Sequence, residues 1–139
     1  MITRNAATKH HILFVEDCSD MLQSLRLFCS IKLPYVQADF ESCPKAALQK
    51  FSQRTYSLVI SDEDLGSTIP GHILLKQLKQ LSPNTQRVML TAFSNLEEMR
   101  SVAKLNGITY VLGKPFKQDE LVNVIEKSLQ AFELKTPKS

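Results

Sequence analysis

Glycine, cysteine and long apolar runs are all scarce in this chain, and each scarcity removes a class of function. The four glycines, Gly66, Gly71, Gly107 and Gly113, never cluster, so no glycine-rich phosphate loop can be built from them. Cys18, Cys29 and Cys43 are odd in number and lack metal-ligand spacing, so free thiols in a reducing compartment are expected. Cys29 falls on the apolar face of a helix and reads as core, while Cys18 follows an acidic pair that disfavours a reactive thiolate. No apolar stretch approaches membrane-span length, and Met1-Ile2-Thr3-Arg4-Asn5 lacks a signal-peptide core, so a cytoplasmic protein without membrane association is expected. Charge of one sign is also lacking: the formal net charge of +3 is scattered and forms no basic run, which argues against nucleic-acid binding. The three histidines, His10, His11 and His72, have no supporting ligands at metal spacing and read as exposed and structural.

What remains is an ordinary globular composition, 43% hydrophobic and 22% charged over 139 residues, enough for one domain with a real core. Residues 1–9 read as a loose N-terminal tail, 10–133 as the domain, and 134–139 as a C-terminal tail. Within the domain, apolar runs alternate five times with segments of helical periodicity. Strands are expected at about 11–16, 35–40, 57–62, 86–91 and 108–113, and helices at about 20–32, 43–53, 71–81, 95–105 and 117–133. Ser19 or Asp20 suits the cap of the first helix and Ser94 or Asn95 that of the fourth. Pro44 suits a first helical turn, and Gly107 a helix stop. Strict alternation with short connections implies a parallel sheet covered on both faces.

Reactive groups sit where the apolar runs end. Glu16-Asp17 follows Ile12-Leu13-Phe14-Val15, Asp62 follows Leu58-Val59-Ile60-Ser61, Thr91 ends Val88-Met89-Leu90, and Lys114-Pro115 follows Tyr110-Val111-Leu112-Gly113. In one parallel sheet those ends meet in a single crevice, where open α/β sheets place their chemistry. An aspartate can act as a nucleophile toward phosphorus, and the transferring group needs positive partners. Three carboxylates would bind magnesium and would repel one another without a cation. Lys114 adds a flexible ammonium, and Thr91 a hydroxyl for a phosphoryl oxygen. Each residue alone says little; the ordered set says more.

These segments resemble the receiver domain of two-component response regulators, the CheY-like family, over about residues 10–133. The carrying motifs are Ile12-Leu13-Phe14-Val15-Glu16-Asp17, Leu58 to Leu65, Met89-Leu90-Thr91-Ala92 and Gly113-Lys114-Pro115-Phe116. The resemblance implies a flavodoxin-like fold with strand order 2-1-3-4-5. It implies Asp62 as phosphoacceptor, Asp17 as a direct Mg2+ ligand with Glu16 helping through water, and the Asp64 carbonyl completing the set. Thr91 would be the switch hydroxyl, Lys114 the bridge to phosphoryl oxygens, and Ala92 the small residue giving access. Pro115 matches a proline that often follows a cis peptide. Implied partners are a sensor histidine kinase or phosphotransfer protein, a downstream protein bound through the fourth-helix face, and a second copy in a homodimer. Beyond its own phosphorylation and dephosphorylation, no enzymatic activity is implied.

The chain departs from that pattern in several places. Gly66 stands where proline is usual, and the next glycine, Gly71, comes one residue late, which implies a longer and more mobile loop over 66–70. Glu63 and Asp64 add charge beside Asp62, and Glu63 is expected to face water. Three residues before Lys114, where an aromatic switch residue is usual, stands Val111; Tyr110, one residue earlier, would face the opposite side of a strand. Asn106 to Tyr110 resembles a pattern found in receivers attached to cyclic-dinucleotide phosphodiesterase-type outputs. Phe93 and Met99 on the fourth helix, with Tyr110 and Phe116, are candidates for a partner-binding face. A degenerate receiver acting as a constitutive interaction module is the rival reading. A flavin carrier of the same fold is disfavoured, because no Ser/Thr/Gly-rich loop follows the first strand.

Overall fold

The computed structural model describes residues 10–66 and 69–136. The expected N-terminal tail and residues 137–139 of the expected C-terminal tail therefore lie outside the described residues, as do Ser67 and Thr68 of the loop expected to be long, while Leu134 and Lys135 continue the last helix. Five strands alternate with five helices: β1 (His10–Val15), α1 (Ser19–Lys32), β2 (Val36–Glu41), α2 (Pro44–Phe51), β3 (Leu58–Asp62), α3 (Gly71–Leu81), β4 (Gln86–Ala92), α4 (Leu96–Leu105), β5 (Tyr110–Lys114) and α5 (Gln118–Lys135). A single 3-10 turn, Phe93–Asn95, joins β4 to α4. The strands form one sheet in the order β2-β1-β3-β4-β5, and every pairing is parallel. This is the expected flavodoxin-like arrangement.

Burial on both faces explains why the strands read as continuous apolar runs. Alternate side chains feed two cores. Ile12, Phe14, Leu58, Ile60, Val88 and Leu90 pack under α1 and α5, through Leu25, Phe28, Leu121, Ile125 and Leu129. Leu13, Val15, Val59 and Met89 pack under α2, α3 and α4, through Ala47, Leu74, Leu75, Leu78 and Ala103. Each fully buried leucine or isoleucine contributes roughly 1.5–3 kcal/mol of transfer free energy.

Several local expectations hold. Pro44 opens α2, Gly107 adopts φ +69° after α4, and the Lys114–Pro115 bond is cis. Others are corrected. Cys18, in extended conformation, is the N-cap of α1, so Ser19 lies inside the first turn; neither it nor Asp20 caps the helix through its side chain. Asn95, one of the two expected candidates, is the N-cap of α4 but makes no side-chain capping bond; Ser94 lies with it in the 3-10 turn. Phe93 also lies in that turn rather than on α4. Strand β5 starts two residues late, since Ile108 N–H still donates to Ala103 C=O at 2.9 Å to close α4.

The expectation of exposed histidines also fails. His10 is 3% exposed: its Nε2 lies 2.8 Å from Glu133 Oε2 and its Nδ1 lies 2.7 Å from the Ser57 hydroxyl. His11 is half-buried, with its ring edge-on to Tyr56, and His72 is half-buried beside Glu63. The isolated sequence could not show partners 47 and 123 positions away from His10.

Candidate functional site

The C-terminal ends of β1, β3, β4 and β5 lie side by side, and the reactive groups gather there. Register sets their positions: Val15 pairs with Ser61, Asp62 with Leu90, Thr91 with Gly113, and Ala92 with Lys114. Glu16, Asp17 and Asp62 each offer an oxygen, and these oxygens lie within 4.8 Å of one another. Glu16 and Asp62 are buried and Asp17 is exposed, so the cluster opens to solvent on the Asp17 side. Lys114 Nζ donates to Asp62 Oδ1 at 2.9 Å and reaches Glu16 Oε1 at 3.5 Å. Thr91 is buried at the end of β4.

The electrostatics follow from this crowding. Burial lifts the Asp62 carboxyl above its usual range, and the charges of Asp17 and Asp64 add to that against the opposing pull of Lys114. Burial also raises Glu16, helped by the negative charge of Asp62. Burial works against the Lys114 ammonium, but its bonds to Asp62 and Glu16 outweigh that and hold its pKa high. Three acids facing one ammonium leave an uncompensated negative site, and a hard divalent cation fits such an oxygen donor set. On charge and donor type, the residues present suit Mg2+.

Of the six expected site residues, Glu16, Asp17, Asp62 and Lys114 come together directly, and Thr91 lies on the strand beside Asp62. Asp64 is different. Its carboxylate is exposed and accepts from Gly66 N–H at 3.2 Å, outside the three-carboxylate cluster. That leaves its main chain as the part available to the site.

Two glycines let the backbone close around these groups. Gly66 has φ +60°, and a Cβ there would sit 2.8 Å from Asp17 Oδ2. A Cβ on Gly71 would collide with the Asp62 carbonyl oxygen, so α3 begins directly against the peptide of Asp62. Sequence reading missed one contact here. Glu63 does not face water: its Oε1 accepts from His72 N–H at 2.8 Å and its Oε2 from His72 Nδ1 at 2.6 Å.

The strand after the site carries the inverted aromatic. β5 pairs with β4 in unbroken register, with no bulge. Val111 therefore packs toward the α2–α3–α4 core and Tyr110 toward the α1–α5 core. Tyr110, Met99 and Phe116 are each partly buried against a core, so of the four candidates for a partner face only Phe93, 64% exposed, stands well out. Its ring lies over Gly113, where a Cβ would meet it at 2.9 Å.

Comparison with known proteins agrees with this geometry. The sequence pattern of the response regulator receiver domain matches residues 12–126. Among curated proteins, the DNA-binding transcriptional regulator NtrC of Escherichia coli (strain K12) is 30% identical over 86 residues, 62% of this chain and 18% of that protein. The transcriptional regulatory protein ZraR of Salmonella typhimurium is 30% identical over 83 residues, 60% of this chain and again 18% of the relative. The chain thus spans under a fifth of the length of these relatives. Among solved structures, the signal receiver domain of an HD domain-containing protein from Pseudomonas fluorescens Pf-5 superposes with TM-score 0.83 at 28% identity, covering 92% of this chain and 100% of that one. NtrX from Brucella abortus gives TM-score 0.83 at 29% identity, over 92% of this chain and 29% of its own. A family match over most of the domain and a shared fold lead to one conclusion: the chain belongs to the response regulator receiver domain family.

Proposed function

We propose that this receiver takes a phosphoryl group from a sensor histidine kinase or phosphotransfer protein onto Asp62, with Mg2+, and switches protein binding as a result. The observation that carries the reading is Asp62 itself, buried, 2.9 Å from Lys114 Nζ and clustered with Glu16 and Asp17. Glu16, Asp17, Asp62 and the main chain of Asp64 would hold the ion, which when bound would offset the charge of carboxylates and phosphoryl oxygens alike.

An Asp62 oxygen forms the new bond to phosphorus as the P–N bond to the donor imidazole breaks. Lys114, already on Asp62, follows the arriving phosphoryl oxygens, and the Thr91 hydroxyl donates to one of them. Ala92, exposed and without bulk, leaves the approach open. Hydrolysis of the acyl phosphate by water returns the carboxylate, so the chain turns over only its own modification.

The signal would leave through Thr91, the Phe93–Asn95 turn and α4, by a shift between conformers. A cavity of about 390 Å³ between α4 and β5, lined by residues including Arg100, Lys104, Tyr110 and Val111, offers a place for a downstream protein or a second copy. No helix among the described residues is long and apolar enough to cross a membrane, in keeping with a proposed cytoplasmic site of action. NtrC and ZraR are named as transcriptional regulators, but the matched segment is under a fifth of each. We therefore assign this domain protein partners rather than nucleic acid.

The Val111 and Tyr110 placement favours a second reading, a constitutive interaction module, because the usual aromatic is absent from its face of β5. Intact mass after incubation with acetyl phosphate separates the two. One phosphoryl group gained only with Mg2+, and lost in Asp62→Ala, is the expected result. No gain, with acetyl phosphate or with a panel of phosphorylated histidine kinases, favours the constitutive module.

A further inference from the structure

Glu63 is bonded on every side, and none of those bonds belongs to the phosphoryl chemistry. Its N–H donates to Leu90 C=O at 2.8 Å, and its own C=O accepts from Gly71 N–H at 2.9 Å. Its carboxylate grips His72 twice, through the backbone N–H and through Nδ1. One residue therefore fastens the end of β3 to β4 beside Thr91 and to the first turn of α3. The N-cap of α3, Pro70, offers no side-chain cap of its own. The carboxylate does what an N-cap side chain does, satisfying an orphan amide at the positive end of the helix.

The position of this clamp gives it a consequence. Glu63 lies between Asp62 and Asp64, and Gly71-His72 marks the far end of the same connection. Within it, Gly66 passes close to the Asp17 carboxylate at φ +60°, a conformation that proline cannot adopt. A glycine there brings no stiffness of its own. Pinning both ends of the connection holds Asp64 and Gly66 beside the carboxylates without that stiffness.

We propose that Glu63 and His72 form a latch that positions the β3–α3 connection, and with it the Asp64 main chain, for the divalent ion. The inference rests on the receiver reading above. Neither residue is a metal ligand or touches the transferring group; both are positioning residues. Surrounding groups that orient metal ligands commonly change affinity by tenfold or more when removed.

The test is Mg2+ affinity measured by calorimetry on the wild type, Glu63→Ala, His72→Ala, the double variant and Glu63→Gln. Glutamine can keep both contacts: its carbonyl accepts from His72 N–H, and its amide donates to His72 Nδ1 in the tautomer that carries its proton on Nε2. Affinity about tenfold weaker in each alanine variant, no further loss in the double, and near-wild-type binding by Glu63→Gln is the expected pattern. Phosphoryl uptake at saturating Mg2+ should change little, because the ligands themselves remain. A second readout needs no metal: amide exchange at Gly71 and His72 in the metal-free protein should quicken in the alanine variants and not in Glu63→Gln. Alanine variants that bind Mg2+ like the wild type, or losses that simply add, overturn the latch. A wild type that binds no Mg2+ overturns the receiver reading instead.

Discussion

At the scale of single residues, Asp62 is held at a cost. Its carboxyl pKa is raised chiefly by burial, so ionising it costs more in the folded protein than in the unfolded chain. A raised carboxyl contributes stability below its unfolded pKa and loses it as pH rises through the higher folded value. At neutral pH the ionised group therefore weakens the metal-free fold, and Glu16 acts in the same direction. Asp62→Asn should raise the stability of the metal-free protein by about 1 kcal/mol at pH 7 and by less near pH 4, close to the ordinary carboxyl value. Mg2+ should stabilise the wild type and do much less for the variant. Thermal denaturation at both pH values, with and without Mg2+, checks this, and a variant less stable than the wild type at pH 7 would refute it. The acidic residues themselves were legible in the sequence, because each follows an apolar run that could only be a buried strand. Glu63 was not, because its partner lies nine positions on and only the closure of α3 onto β3 brings them together. Chain-local reasoning sees a carboxylate beside Asp62 and assigns it to water.

At the scale of elements, periodicity located every strand and helix, while the ends depended on contacts that periodicity does not carry. Ile108-Thr109 has strand composition, yet Gly107 at positive φ and the Ile108 to Ala103 bond keep it in the helix stop. Two glycines at helix ends make the point testable. At Gly107 an added Cβ meets only the tip of the Lys79 side chain, which can swing away, so Gly107→Ala should cost about 1 kcal/mol for its backbone conformation. At Gly71 the Cβ meets the backbone of Asp62 and Glu63, which cannot move without shifting the site. Gly71→Ala should cost about 3 kcal/mol and also weaken Mg2+ binding. Urea denaturation ranks the two, and equal costs would mean that α3 can pull back from Asp62.

At the scale of the whole molecule, the sheet separates two polar clusters by its full length. The carboxylates, Thr91 and Lys114 occupy the C-terminal ends of the strands, while His10, Ser57 and Glu133 tie the N-terminal ends to the last turns of α5. His10→Ala would strand a buried serine hydroxyl and remove the anchor of α5, at a cost of about 2 kcal/mol. Phosphoryl uptake by the folded variant should be unchanged, and comparing urea midpoints with phosphorylated mass checks both halves of that statement. The His10–Glu133 bond also brings the first residue of β1 to the end of the last helix, on the side away from Asp62. Entrance and exit of the domain thus share one doorstep. A receiver built this way can be spliced into the middle of another chain, or have its own order rotated by a short bridge between these ends, while the chemistry on the far side keeps its walls.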